Sequence, residues 1–258
     1  MKHQFLPTRH GRMHALESGQ GIPLILLHTL GGSVYQFERL LLLVGQRYRA
    51  IAFDMIGHGD SDPLSRHLSL EDHSDAIADA MAALGLPKAT VFGQSVGGYL
   101  SALMGGRWAD LCAHVIIGEA PPRTAADYAA NWLEIEQGCS DLTTTFEALK
   151  ARFRNLTPEL LGRWNIDRRK VGTRALMATY WAIREFDFFR ALQDIQVPAL
   201  LLLGENGIAS GELARRYDQL ASKGNMPIHV LRDVGHFISI DDPDQLLSHI
   251  DAFVQRPT

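Results

Sequence analysis

The fold class of this chain is decided by Ala89-Thr90-Val91-Phe92-Gly93-Gln94-Ser95-Val96-Gly97-Gly98. The first four residues form a short apolar run typical of a buried strand, and apolar residues recur at helical spacing from Val96 onward. Glycines on both sides of Ser95 permit the sharp strand-to-helix turn that exposes a serine hydroxyl. The helix N-terminus behind it favours developing negative charge. The stretch predicts a nucleophilic serine; an ordinary serine cap of the helix is the alternative, and it would not need both glycines.

Outward from this turn, short apolar runs alternate with amphipathic helical patterns. The runs are flanked by glycine or proline, which favours strands over buried helices. Helices are predicted after Ser69, after Ser95 and after Asp242-Pro243. Continuously apolar strands that alternate with helices indicate an α/β fold, with a parallel sheet covered on both faces. The predicted strands are 24–27, 48–53, 89–92, 114–117, 199–203 and 228–231.

Residues 121–190 break this alternation. They contain no convincing strand, and they are too long for a loop inside a compact domain, so we predict a helical insertion. The segment also holds ten of the 21 Phe, Trp and Tyr residues of the chain. An apolar, partly aromatic wall of a binding pocket is one interpretation of this crowding; packing of the insertion onto the body is the other, and we expect it for more than half of these side chains.

Composition excludes several classes of protein. The 258 residues are 46% hydrophobic and carry a formal net charge of −4, without a dense Lys/Arg run, so nucleic acid is not the expected partner. No apolar run reaches the roughly 20 residues of a membrane helix, and the first residues lack the apolar core of a secretory signal. Two cysteines, Cys112 and Cys139, make neither a disulfide framework nor a zinc site. A cytoplasmic globular protein without metal or cofactor is expected.

A serine nucleophile requires a neighbouring base. His236 follows the last predicted strand in the loop Val234-Gly235-His236-Phe237, where its imidazole would project over the same sheet edge as Ser95. The other histidines lie in strands, helices or polar loops without a glycine turn, where packed or solvated roles suit them. Asp54 and His58 follow another strand at this edge, but an Asp that ends a strand beside a glycine turn usually caps its own loop. We therefore predict His236 as the base and the other two as structural.

Four motifs together resemble the α/β-hydrolase superfamily: His28-Thr29-Leu30-Gly31-Gly32, Asp54-x-x-Gly57-x-Gly59-x-Ser61, the Ser95 turn and Gly235-His236. The resemblance implies an eight-stranded, mostly parallel sheet and a helical cap after the sixth strand. It divides the chain into a core, 1–120 and 191–258, and a cap, 121–190. It also implies Ser95 as nucleophile, His236 as base, and an oxyanion hole made by the backbone N–H groups of Leu30 and Val96.

The acid that would complete a catalytic triad with Ser95 and His236 departs from the usual pattern of the superfamily. Many relatives place an Asp after strand 7, where this chain has Gly207 in Gly204-Glu205-Asn206-Gly207. A second arrangement in the superfamily has the acid after strand 6, and Glu119 lies there. An unpaired carboxylate at this apolar position would be costly, and pairing with His236 would satisfy it. Two alternatives remain: Glu119 pairs with an arginine of the cap, or Glu205 is the acid.

An acid Glu after strand 6, together with a cap, resembles the zearalenone-type lactonases and related ester hydrolases. The resemblance implies a cofactor-independent hydrolase of carboxylic esters or lactones with a Ser-His-Glu triad. Hydrophobic substrates are expected, with Trp132, Trp181 and Phe186 as substrate-binding residues and a homodimer left open. A C–C bond hydrolase of meta-cleavage type, a cofactor-free dioxygenase or perhydrolase, and a hydrolase-like small-molecule receptor are the alternatives.

Overall fold

A computed structural model of the protein describes residues 1–208, 213–221 and 226–255. Eight strands form one sheet in the order β1-β2-β4-β3-β5-β6-β7-β8. The pairs β1–β2 and β2–β4 are antiparallel, and every other neighbouring pair is parallel. The predicted fold class is therefore confirmed. The strands are β1 (Lys2–Thr8), β2 (Gly11–Ser18), β3 (Ile22–Leu27), β4 (Tyr48–Phe53), β5 (Ala89–Gln94), β6 (Cys112–Gly118), β7 (Ala199–Gly204) and β8 (Ile228–Leu231).

Helices cover both faces of this sheet. In β3, Ile25 and Leu27 belong to one apolar core, while Leu24 and Leu26 belong to the other. This alternation explains why the strands are apolar at every position, since each face is buried against helices. The helices are α1 (Glu38–Val44), α2 (Leu70–Ala83), α3 (Val96–Arg107), α4 (Ala125–Ala130), α5 (Trp132–Ser140), α6 (Phe146–Lys150), α7 (Pro158–Glu185), α8 (Phe188–Gln193), α9 (Leu213–Ala221), α10 (Ile238–Asp241) and α11 (Pro243–Val254).

Helix α2 begins where its sequence predicts. The Ser69 hydroxyl accepts a hydrogen bond from Asp72 N at 3.1 Å, and the Asp72 carboxylate accepts one from Ser69 N at 3.1 Å. This reciprocal pair satisfies two N–H groups that the first turn of a helix leaves without partners. Helix α11 begins in a similar way, because the Asp242 side chain accepts from Gln245 N at 2.8 Å.

The chain between β6 and β7 is helical and contains α4 to α8. Helix α7 is interrupted at Gly172, whose φ of 71° lies outside the helical region, and the predicted end of the insertion at residue 190 falls inside α8. Strands β1 and β2 have no counterpart among the strands predicted from apolar runs. Among the described residues, no helix is both long enough and apolar enough to span a membrane.

Candidate active site

Ser95 lies in the turn between β5 and α3 with a backbone strained away from the usual regions, at φ 59° and ψ −116°. A Cβ atom at Gly93 would lie 1.9 Å from the carbonyl oxygen of Gly97. One at Gly97 would lie 2.2 Å from the carbonyl oxygen of Leu27. Both positions thus admit only glycine. The Ser95 side chain makes no capping hydrogen bond to α3, so the turn differs from an ordinary serine cap and leaves the hydroxyl available.

His236 lies in the loop that joins β8 to α10. Its Nδ1 lies 3.2 Å from Oε2 of Glu119. Two buried side chains fix the loop: Gln94 Nε2 donates to the His236 carbonyl at 2.6 Å, and Asp241 Oδ2 accepts from Gly235 N at 2.9 Å. The other ring nitrogen, Nε2, is buried without a hydrogen-bond partner among the described residues. The imidazole is thus held at Nδ1 with Nε2 unpartnered, and His236 lines the same cavity as Ser95.

The surroundings of His236 keep its imidazole neutral at neutral pH. Burial is the largest effect and lowers its pKa below 6.5, while the hydrogen bond to Glu119 raises it. The positive charge of Arg152 lowers the pKa further, and the negative charges of Glu119 and Asp241 oppose this. A neutral imidazole is the form that can accept a proton from a serine hydroxyl.

Glu119 directly follows β6, is fully buried and has a left-handed backbone with φ 47°. Its Oε1 accepts from Gly204 N at 2.7 Å, and both carboxylate oxygens lie 3.1 Å from Ile208 N. A Cβ atom at Gly207 would lie 2.5 Å from Oε2 of Glu119. The Glu119 carboxylate therefore lies in the space that any side chain at position 207 would enter. This explains why the position where many relatives carry the acid is a glycine here.

Glu205, the alternative acid, is exposed and faces elsewhere. Its carboxylate accepts a hydrogen bond from Asp233 N at 2.9 Å. Glu119, and not Glu205, is the carboxylate that the structure brings to His236. The second alternative, an ion pair between Glu119 and an arginine of the inserted segment, is not formed by the described residues.

The N–H groups of Leu30 and Val96 both belong to residues that line the cavity beside Ser95. Neither N–H donates to another group among the described residues, so both remain available to a ligand. The loop that carries Leu30 is fixed on two sides. His28 Nδ1 lies 2.7 Å from the Thr29 carbonyl oxygen, and the Gln36 side chain accepts from Thr29 N at 3.0 Å.

The cavity that contains these groups has a volume of about 510 Å³, which suits a small molecule. The inserted helical segment contributes much of its wall, and three arginines belong to it: Arg123, Arg152 and Arg168, called here the cavity arginines. Among the described lining residues, Glu119 is the one carboxylate. Of the ten aromatic residues in 121–190, Tyr128 and Tyr180 line the cavity, so more than half of them lie elsewhere, as expected.

The three residues predicted to bind substrate do not line this cavity. Trp132 and Trp181 contact each other with ring centroids 4.5 Å apart, and Arg184 lies over both rings. Phe186 packs against Tyr99 in the core below the cavity, with ring centroids 5.9 Å apart. None of the three lines the cavity: Trp181 is exposed, Trp132 and Phe186 are partly buried, and aromatic content alone does not indicate which surface a ring contacts.

Asp54 and His58 lie outside the cavity. Asp54 accepts hydrogen bonds from Val34 N at 2.7 Å and Asp60 N at 2.9 Å, which caps its own loop as predicted. Asp54, Asp60 and His14 place ligand-type atoms within 4.8 Å of one another. These atoms already bond to protein groups: His14 Nδ1 to Asp54 Oδ2 at 2.7 Å, and Asp60 to the Lys170 ammonium group. Both cysteines are free and buried, and burial raises the pKa of Cys112 to about 12 and that of Cys139 to about 11.

A family model described as alpha/beta hydrolase fold matches residues 22–157, more than half of the chain. The protein thus belongs to the α/β-hydrolase family, as its sheet order and the turn at Ser95 lead one to expect. The 2-(acetamidomethylene)succinate hydrolase of Mesorhizobium japonicum is 23% identical over 256 residues, covering 94% of this chain and 91% of that protein.

Two solved structures illustrate the shared fold. Carboxylesterase CesB from Bacillus subtilis superposes with a TM-score of 0.83 at 20% identity, covering 100% of this chain and 92% of that one. The enol-lactonase from Burkholderia xenovorans LB400 superposes with a TM-score of 0.79 at 18% identity, covering 98% of this chain and 100% of that one. At such identities the likeness establishes the fold and leaves the substrate open.

Proposed function

We propose that this protein is a serine hydrolase that cleaves a carboxylic ester or lactone through an acyl-enzyme, with Ser95 as nucleophile, His236 as base and Glu119 as acid. One observation carries the proposal: His236 is anchored to buried Glu119 through Nδ1 and has an unpartnered Nε2, and it lines the same cavity as Ser95 in its strained turn. A hydrogen bond from Ser95 Oγ to His236 Nε2 is then expected to form when substrate binds.

The arrangement supplies each step of acyl transfer. Ser95 Oγ attacks the acyl carbonyl carbon while its proton passes to His236 Nε2, and Glu119 stabilises the imidazolium formed. The N–H groups of Leu30 and Val96 bind the negative oxygen of the tetrahedral intermediate; one such donor contributes roughly 3 kcal/mol to the transition state. His236 then donates the proton to the leaving alkoxide. Water repeats the sequence on the acyl-enzyme, which releases the acid and restores Ser95.

Turnover of p-nitrophenyl esters of varied chain length and of aryl lactones tests the proposal. The wild type should hydrolyse at least one of them, and Ser95→Ala should lower kcat by at least about 10⁴-fold. Ser101→Ala is the matched control, because Ser101 is a buried serine in α3 whose hydroxyl has no hydrogen-bond partner among the described residues. Failure of pure wild-type protein to hydrolyse any ester or lactone would refute the proposal.

A second candidate is supported by the relative from Mesorhizobium japonicum, which spans nearly all of this chain. That protein is named for hydrolysis of 2-(acetamidomethylene)succinate, and the same compound belongs in the assay. Its turnover here, without turnover of esters, would replace the ester proposal while keeping Ser95 as nucleophile. A meta-cleavage product tests the C–C alternative in the same way. The narrower likeness to zearalenone-type lactonases stays a prediction, which an aryl lactone substrate tests.

A further inference from the structure

The cavity arginines are positive charges without ion pairs in a protein whose net charge is negative. The chain has formal net charge −4, yet Arg123, Arg152 and Arg168 form no ion pair with a carboxylate of any described residue. Arginines nearby in the same structure do find partners, since Arg163 pairs with Asp167 at 3.1 Å and Arg216 pairs with Asp127. Arg174 and Arg184 of the inserted segment also form no ion pair with a described residue, so the three cavity arginines are set apart by lining one cavity together.

Each cavity arginine lies at a different point around the reacting groups. Arg168 lies against the loop of Leu30, since a Cβ atom at Gly31 would be 3.5 Å from its Nη1. Its guanidinium is fixed by a hydrogen bond from Nη2 to the Gly138 carbonyl at 2.6 Å, while its buried Nε–H has no partner among the described residues. A neutral carbonyl orients this charge without cancelling it.

Arg152 lies on the other side, next to the loop of His236. Its guanidinium carbon is 5.3 Å from the centroid of the Phe237 ring, and its backbone carbonyl oxygen would be 3.0 Å from a Cβ atom at Gly235. The protein that surrounds Arg152, a residue still exposed to solvent, lowers its pKa, and the nearby charge of Arg168 acts in the same direction. An anion bound between these two arginines would offset the repulsion between their charges. Arg123 lies further along the wall, 5.9 Å from the centroid of the Tyr128 ring.

We propose that the natural substrate carries a carboxylate beside its scissile acyl group, and that Arg152 and Arg168 bind this carboxylate while Arg123 adds a third positive charge to the cavity wall. The inference rests on the proposed function and specifies its substrate class as anionic esters or lactones. Guanidinium groups suit the role, since their planar donors match a carboxylate and remain charged when partly buried. It differs from the expectation of hydrophobic substrates, because a carboxylate would give the cavity arginines a counter-ion that a neutral acyl chain does not.

Two p-nitrophenyl esters that differ only in charge test the proposal: mono-p-nitrophenyl glutarate and its methyl ester. Wild-type kcat/KM should be at least tenfold higher for the anionic ester. Arg152→Gln and Arg168→Gln should each lower the ratio of the two kcat/KM values about 10- to 100-fold, the effect of losing one charged hydrogen bond. Arg169→Gln is the matched control, since Arg169 follows Arg168 on α7 but lies outside the cavity. This variant should keep the wild-type ratio of the two kcat/KM values. Equal kcat/KM values for both esters in the wild type would overturn the proposal.

A binding measurement separates failure of this inference from failure of the proposed function. Calorimetric titration of Ser95→Ala with glutarate should show binding that Arg152→Gln and Arg168→Gln, added to Ser95→Ala, weaken at least tenfold. If esters are not hydrolysed while glutarate binds in this arginine-dependent way, the hydrolase proposal fails and the anion site stands. If glutarate binding is absent or insensitive to both arginines, the anion site is refuted. Circular dichroism and thermal melting of each variant show that loss of binding is not loss of fold.

Discussion

Replacing Glu119 by glutamine isolates the charge of the proposed triad acid from its structural contacts. In the wild type, the carboxylate accepts from Gly204 N at 2.7 Å and from Ile208 N at 3.1 Å. Alanine would leave these buried N–H groups without an acceptor, at a cost of about 1–3 kcal/mol each in stability. The glutamine amide oxygen can still accept from Gly204, while its NH₂ group would face His236 Nδ1. The ring would then carry its proton on Nε2 and could not accept one from Ser95.

The expected loss is large because the substitution fixes the wrong tautomer of the base. Loss of a triad acid in this way lowers kcat by about 10⁴-fold. The assay is kcat on the best p-nitrophenyl ester, with thermal melting as a check on the fold. Glu205→Gln is the matched control, since Glu205 is exposed and bonds to Asp233. Near-wild-type kcat in Glu119→Gln together with a large loss in Glu205→Gln would refute the assignment of the acid.

Substitutions at position 207, which lies against Glu119, provide a second test of the acid. Because a Cβ at Gly207 would lie 2.5 Å from the Glu119 carboxylate, Gly207→Asp alone should be nearly inactive and less stable than the wild type. Combined with Glu119→Gly, the new aspartate has room to reach His236. The double variant should then recover activity at least about tenfold over Glu119→Gly. No recovery in a folded double variant would show that position 207 cannot supply the acid in this chain.

Four further predictions concern the turn at Ser95, a glycine inside α5, the cap of α2 and the base. Gly97→Ala should abolish folding or activity, because its Cβ would lie 2.2 Å from the Leu27 carbonyl oxygen. Gly138→Ala places a Cβ in open space inside a helix, so it should raise the free energy of unfolding measured in urea by about 0.5–1 kcal/mol. Ser69→Ala should lower the free energy of unfolding by about 1 kcal/mol through loss of the cap of α2. The acidic limb of the pH profile of kcat/KM should have its midpoint below 6.5, because the environment lowers the pKa of His236; a midpoint above 6.5 would contradict this environment.

The parts of the fold that sequence patterns predict are those with strong local signals. Buried parallel strands need apolar residues at every position, so six of the strands are visible as apolar runs, and Tyr48–Phe53 and Ile228–Leu231 have the predicted bounds. Strand β1 has the sequence KHQFLPT, in which Phe5 and Leu6 are the one apolar pair before a proline, and therefore leaves no apolar run to detect. Its pairing with β2 depends on contacts that only the folded chain reveals.

The residues of the candidate site also differ in whether a local sequence signal predicts them. Ser95 and His236 stand out because glycine turns place them at a sheet edge, and the position of Glu119 after β6 brings it to His236. The cavity arginines come from three separate parts of the inserted segment and belong to no motif, so composition suggests the aromatic residues instead. The requirement for glycine at position 207 likewise depends on a contact across 88 residues of sequence that no local pattern contains.

The central claim is that Ser95, activated by His236 and Glu119, is the nucleophile. Reaction with a fluorophosphonate followed by intact-mass and peptide mass spectrometry tests it most directly, since the reagent reacts with an activated serine whatever the substrate. We predict one equivalent of label on the peptide that contains Ser95, formed much more slowly in His236→Gln and Glu119→Gln. Absence of labelling in the folded wild type, or labelling of a different serine, would contradict it.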